Sequence, residues 1–249
     1  MSQTEHDTPP KMDYLHTIDL VVLRYCRKTQ ALEVLLHKRP SEPFEESWAL
    51  PGLVLNGEVR DVSMDAGVKR LIESEKIGVR LGYIEQVGTV GNAFRDPRCW
   101  SSSTFYLAIL DQDANLNERQ KFVPLQALLS RESLLPFDHN DLIDQTAERL
   151  YSKSLYSSLP LLFLGNEFSA PEATAIYSVA LGRPVLKSSM RQRLIKLTEE
   201  GYIKETGRKK SGEGIKAQAT VENLKPGRIF YFDRSFAGKD MMSQPRTCT

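Results

Sequence analysis

Cysteine is scarce in this chain and scattered: Cys26, Cys99 and Cys248 are odd in number and form no CxxC pair. Neither a disulfide framework nor a zinc site is expected, and a reducing compartment fits. Long apolar runs are missing as well. A run such as Leu159 to Leu164 is far shorter than the roughly 20 residues needed to span a bilayer. The N-terminal MSQTEHDTPP has neither the basic nor the apolar region of a signal peptide, so a cytoplasmic protein without a membrane partner is expected. There is no internal repeat and no low-complexity segment, and 15 glycines and 13 prolines are too few for a collagen-like chain. What is present, 41% hydrophobic and 26% charged residues over 249 positions, gives apolar mass for a real core and length for two modules.

The formal charge of +1 conceals a division. Arg183 to Arg234 holds 13 Lys/Arg against 6 Asp/Glu, a local +7, whereas the rest of the chain holds 20 against 26. Clustered cations gain affinity for a polyanion by releasing counterions from its phosphates, which points the C-terminal portion toward nucleic acid. A solvated charged face is the plainer alternative.

Residues 1 to 12 are polar and are expected to be a disordered tail, as are 236 to 249. Strand-like runs at Ile18 to Tyr25 and Ala31 to His37, joined by Lys28-Thr29-Gln30, predict a hairpin. Asp61 could cap a helix over Val62 to Lys76 closed by Gly78. Strands are expected at Leu81 to Val90 and Ser103 to Leu110, a short helix from Pro124 and a longer one from His139 to Ser157. This order describes a mixed α+β domain over 13–150. Over 151–235 the pattern changes to short helices at Pro171 to Leu181 and Leu186 to Glu200, then strand-like Tyr202 to Thr206 and Ile229 to Phe232. Helix, turn, helix and hairpin is the order of a winged helix-turn-helix.

The stretch WALPGLVLNGE, Trp48 to Glu58, resembles the entry to the Nudix box, G-x5-E-x7-R-E-U-x-E-E-x-G-U, with Gly52 and Glu58 at its first fixed positions. In that pattern three helical acids at i, i+3 and i+4 share a face that can hold Mg²⁺ against a pyrophosphate. Here they are missing. Without a gap the Arg and three Glu positions fall on Ala66, Gly67, Arg70 and Leu71; a three-residue insertion moves them to Lys69, Arg70, Glu73 and Ser74. Counting back from Gly78 gives Leu71, Ile72, Glu75 and Lys76. In every register at most one acid survives, and Lys69, Arg70 and Lys76 would repel a divalent cation. Downstream, Gly91 to Trp100 contains Arg95-Asp96-Pro97-Arg98 between two expected strands and resembles the RDPR loop of ADP-ribose-directed Nudix domains. Two guanidinium forks about a Pro-stiffened turn suit a diphosphate, with Asp96 orienting one of them or accepting a ribose hydroxyl. A salt-bridged turn is the alternative. Arg39 and Trp48 are candidates for phosphate and adenine contacts, Trp48 equally for the core, and Glu58 and Phe94 complete the candidate ligand set.

In Leu186 to Leu197, Met190, Leu194 and Leu197 recur at i, i+4 and i+7 as a buried stripe. Ser189, Gln192 and Lys196 then face outward, flanked by Lys187, Ser188, Arg191 and Arg193, as a recognition helix requires. Arg208, Lys209 and Lys210 would lie in the wing and reach backbone or minor groove. Joined, the halves resemble the NrtR family of Nudix-related transcriptional regulators of NAD metabolism, over about Asp19 to Arg234. The resemblance implies an N-terminal Nudix-like α/β/α sandwich with a mixed sheet and a C-terminal winged helix. It further implies a homodimer on palindromic double-stranded operators near genes of NAD synthesis or salvage. ADP-ribose or a related NAD derivative would be the effector that releases DNA; no catalytic residue, metal or cofactor is expected. The box is more eroded and longer than the pattern, and Ala217 to Gly227 makes a longer wing. An ADP-ribose pyrophosphatase with an appended winged helix is the rival reading, opposed by the missing acids; a scaffold binding neither ligand is opposed by the +7 segment.

Overall fold

The first strand sets the layers. In the computed structural model, which describes residues 14–57, 60–111, 115–165, 167–200, 202–205 and 219–220, β1 (Tyr14–Cys26) sends alternate side chains to opposite faces of a sheet. Ile18, Leu20 and Val22 pack with Val68 and Leu71 of α1 (Met64–Ile72). Val21 and Leu23 pack with Leu142, Ile143 and Leu150 of the long helix His139–Tyr156. The sheet order is β3 (Trp48–Ala49), β2 (Ala31–Lys38), β1, β6 (Trp100–Leu110), β5 (Leu81–Asn92). Two short strands join it: β4 (Gly52–Val54) pairs with β1, and β7 (Gln120–Pro124) with β2. β1 and β6 are parallel, Tyr14 opposite Trp100 through Leu23 opposite Ile109, and β1 with β2 and β5 with β6 are antiparallel. The sheet is therefore mixed and the helices flank it, as expected of an α+β domain. Along β1 the neighbour changes from β4 at Thr17 to Asp19 to β2 at Leu23 to Cys26.

The hairpin and the strands at 81–92 and 100–110 fall where the strand-like runs put them. After β7 comes α2 (Leu125–Leu129), and the long helix is α3 (His139–Tyr156). The Nudix-box helix is shorter than expected. Ser63, not Asp61, caps α1, its hydroxyl accepting from Ala66 N at 3.1 Å. The Asp61 carboxylate instead accepts from Arg70 and from the Asn56 backbone. Ser74 Oγ donates to the Leu71 carbonyl at 2.6 Å just past the helix end, and hydrogen-bonded turns carry the chain to Gly78, whose φ of 55° suits glycine.

Leu159–Leu164 forms a 3₁₀ helix. Beyond it lie β8 (Glu167–Phe168), α4 (Ala170–Ala180), α5 (Lys187–Glu199), β9 (Lys204–Glu205) and β10 (Ala219–Thr220), with sheet order β8, β10, β9, all antiparallel. α4 starts at a capping box between Ser169 and Glu172, and Gly182, at φ 58°, turns the chain toward α5. β10 falls within Ala217 to Gly227; Ile229 to Phe232 and both tails lie outside the described residues. Phe163, Phe168, Ile176, Tyr177 and Met190 belong to the same core cluster as Leu142. α3 carries that core across residue 150, where the sequence placed a boundary. Among the described residues no helix is long and apolar enough to cross a membrane.

Candidate functional site

A cavity opens where β4 and β2 lie on successive stretches of β1. Its walls include Thr17 and Asp19 of β1, His37 and Arg39 at the end of β2, Gly52 of β4, Lys76 after α1, Arg95, Asp96 and Arg98, and Phe137 and His139 at the start of α3. Gly52 stands directly opposite Asp19, and a Cβ there would sit 2.0 Å from Asp19 Oδ1. No side chain fits that position, which gives this box glycine a physical reason.

Buried Asp19 is the hub. Its Oδ2 accepts from Ser103 Oγ at 2.5 Å and Thr17 Oγ1 at 3.1 Å, and Arg95 lies 3.8 Å away. His139 Nδ1 accepts from Leu50 N at 3.0 Å, which leaves the proton on Nε2, 3.8 Å from Asp19 Oδ1. Burial pushes the His139 pKa down, so the ring is held neutral despite the carboxylate beside it.

Of the expected ligand residues, Arg39, Arg95, Asp96 and Arg98 converge on this cavity, but their charges are not equally available. The buried Arg95 fork is occupied by Asp138, at 2.9 Å from both Nε and Nη2, and its Nη1 reaches Ser101 Oγ at 3.2 Å. Arg98 grips Asp96 through Nε at 2.9 Å and Nη2 at 2.7 Å. Burial alone would raise the Asp96 carboxyl, yet these bonds hold it below its ordinary value. RDPR is thus in part a salt-bridged turn, the alternative reading, placed in a cavity wall. Arg39 is different: it donates to the carbonyls of Pro43 at 2.7 Å and Ser41 at 3.4 Å, and lies 4.8 Å from the Phe137 ring centre. Trp48 is half-buried under the Lys121 ammonium, packed against the core, and Phe94 is 94% exposed; neither lines the cavity. Glu58 lies outside the described residues.

Sequence reasoning missed Thr17, Asp19, His37, Phe137 and His139, and met Lys76 only as a charge hostile to metal. A signal existed for Asp19, an acid within the apolar run of a buried strand. Lys76 Nζ donates to the Gly52 carbonyl at 2.5 Å, and burial followed by the Arg39 charge lowers its pKa. His37 is buried with neither ring nitrogen hydrogen-bonded, and burial, then Lys76 and Arg119, lowers its pKa to about 4. Among the described residues no group of His, Cys, Asp and Glu could hold a metal ion. A Nudix fold implies Mg²⁺, but an ammonium on the Gly52 carbonyl does not suit that ion.

The face of α5 is mostly as expected. Met190 is buried, Leu194 and Leu197 half-buried, and Lys187, Ser188, Ser189, Arg191, Gln192 and Lys196 are exposed. Arg193 departs from this set: it turns inward, donating to the Ser157 carbonyl at 2.9 Å and covering the Tyr177 ring at 4.5 Å. At that helical position an inward guanidinium gains both a carbonyl and an aromatic face. Arg208, Lys209 and Lys210 lie outside the described residues.

No protein-family model matches the chain. A curated protein of Acinetobacter baylyi, the ADPR responsive transcriptional repressor NtrR, is 31% identical over 247 residues, covering 95% of this chain and 91% of that protein. The crystal structure of Shewanella oneidensis NrtR is similar with a TM-score of 0.73 and 35% identity, over 84% of this chain and 94% of the other. The same protein complexed with a 27mer DNA gives 0.71 and 34%, over 86% and 95%. A mixed sheet between helices, a retained box glycine facing Asp19 and this likeness along nearly the whole chain agree: the protein belongs to the NrtR family of Nudix-related transcriptional regulators.

Proposed function

We propose that the chain is a DNA-binding repressor of NAD synthesis or salvage genes, released from its operator when ADP-ribose or a related NAD derivative fills the cavity around Asp19. The observation that carries this reading is the likeness over 95% of the chain to a repressor described as ADPR responsive. Solution of a similar protein with a 27mer DNA supports the DNA half. The C-terminal α4, α5 and three-stranded sheet serve as a winged helix, with α5 as recognition helix. Two copies on a palindrome would read two half-sites, since one short helix reads few base pairs. No hydrolysis is expected, because at most one of the three box acids survives in any register and Lys76 brings an ammonium into the cavity wall. ADP-ribose with Mg²⁺ should be consumed at background rate; turnover in the ordinary range, about 1 to 1,000 per second, would refute this.

α3 offers the mechanical link. Its N-terminal end supplies His139 to the cavity, next to Asp138, which holds Arg95; past its C-terminal end the Ser157 carbonyl accepts from both Tyr177 and Arg193. Eighteen residues make a rod of about 27 Å, long enough to carry a displacement at the cavity to α5. The test is a mobility shift of the chain on its own gene neighbourhood with and without ADP-ribose. A retarded band that the nucleotide abolishes is expected, and a band indifferent to it removes the effector half.

A further inference from the structure

Charge in the cavity is uneven. Arg95 and Arg98 are matched by Asp138 and Asp96. Arg39 and Lys76 form no salt bridge among the described residues; both donate to backbone carbonyls, Asp19 favours both charges, Asp96 and Glu42 favour that of Arg39, and Arg39 opposes that of Lys76. Two half-buried cations in one cavity wall, neither of them salt-bridged among the described residues, keep N–H groups and charge available for an anion. Beside them stands His37, 7% exposed, with both ring nitrogens unpartnered. A buried polar group left without a hydrogen bond costs roughly 1–3 kcal/mol, a cost that a ligand can remove.

We propose that the cavity binds the diphosphate of its nucleotide without a divalent ion, Lys76 and Arg39 supplying the positive charge and His37 a neutral hydrogen bond. This rests on the reading of the cavity as a nucleotide site. Lys76 occupies, in the register counted back from Gly78, the last acid position of the box, and its ammonium already sits on the Gly52 carbonyl. A lysine in place of an acid makes that corner more positive by two charges, which favours a diphosphate there and opposes a divalent ion. The neutral His37 ring has one N–H for a phosphate or ribose oxygen and adds no charge.

Titration calorimetry of the full chain with ADP-ribose tests this, in EDTA and in millimolar Mg²⁺. The two affinities should agree within about twofold. Lys76→Gln should weaken binding roughly 10- to 100-fold in both buffers, and Lys76→Arg should restore much of it. His37→Phe should also weaken binding, with melting temperature and DNA affinity monitored to confirm folding. Binding that appears only with Mg²⁺, or a folded Lys76→Gln chain that binds like the parent, overturns the proposal and leaves the nucleotide reading intact. No binding of ADP-ribose in either buffer overturns the nucleotide reading itself.

Discussion

Arg95 and His37 show how differently single residues in one cavity are employed. The Arg95 guanidinium is buried between Asp138, Ser101 and Asp19, so its removal strands carboxylates in a poorly solvated place. Arg95→Ala should lower unfolding stability by about 3–5 kcal/mol in urea denaturation; a loss below about 1 kcal/mol would mean that its pairs are replaced by water. His37 acts through pH. Its pKa is near 6.5 unfolded and about 4 folded, so stability is complete above pH 6.5 and falls as pH drops toward 4, where the unfolded chain takes the proton first. Below that the term is constant, and its full size is about 3 kcal/mol. His139 shifts in the same direction for the same reason, its burial. Chemical denaturation at pH 7.5, 5.5 and 4.5 should show the decline, and His37→Phe should make it shallower. None of this was legible beforehand: a histidine in an expected strand does not reveal that its ring finds no partner, and the RDPR motif does not show that Asp138, 43 residues away from Arg95, claims the first guanidinium.

Elements were legible where side-chain period and burial agree. β1 and β2 are apolar runs buried on both faces of the sheet, and Met190, Leu194 and Leu197 fix the inner face of α5. Short elements were not: β7 is Gln-Lys-Phe-Val-Pro, too brief for a period and supported by pairing with β2. The apolar Leu159–Leu164 winds as a 3₁₀ helix because its side chains fill the core beneath α4. Within α5, exposure separates roles that composition cannot. Gln192→Ala should reduce operator discrimination by about 1–3 kcal/mol if the amide makes a bidentate base contact. Lys196→Ala should weaken all DNA alike and flatten the salt slope. Arg193→Ala should cost folding stability, about 1–2 kcal/mol, since its fork is spent on Ser157 and Tyr177. Fluorescence anisotropy at several salt concentrations, paired with thermal melts, distinguishes the three; if Arg193→Ala leaves melting unchanged and alters specificity, α5 is rotated from the orientation described.

At the scale of the molecule, effector and DNA must be coupled through a body whose two halves share one core. Leu142 and Leu150 of α3, Phe168, Tyr177 and Met190 lie in a single cluster, so a displacement at the start of α3 cannot be absorbed in a loose linker. Arg27 at the β1–β2 turn adds a second tie, donating to the Leu164 carbonyl at 2.7 Å and pairing with Glu172 of α4 at 3.3 Å. Coupling of this kind is reciprocal: if ADP-ribose weakens operator binding by some factor, saturating operator must weaken ADP-ribose binding by the same factor. A factor of 5 to 150 is the usual range, roughly 1–3 kcal/mol. Calorimetric titration of ADP-ribose into the free chain and into its operator complex should give dissociation constants in that ratio, matching the ratio of operator affinities measured with and without nucleotide. Removing the tie at the far end of α3 should shrink both ratios together. Arg193→Ala, which frees α5 from Ser157, is therefore expected to bind nucleotide like the parent but to respond to it less. Equal ratios in parent and variant would place the coupling elsewhere, in the Arg27 contacts or in the arrangement of two subunits.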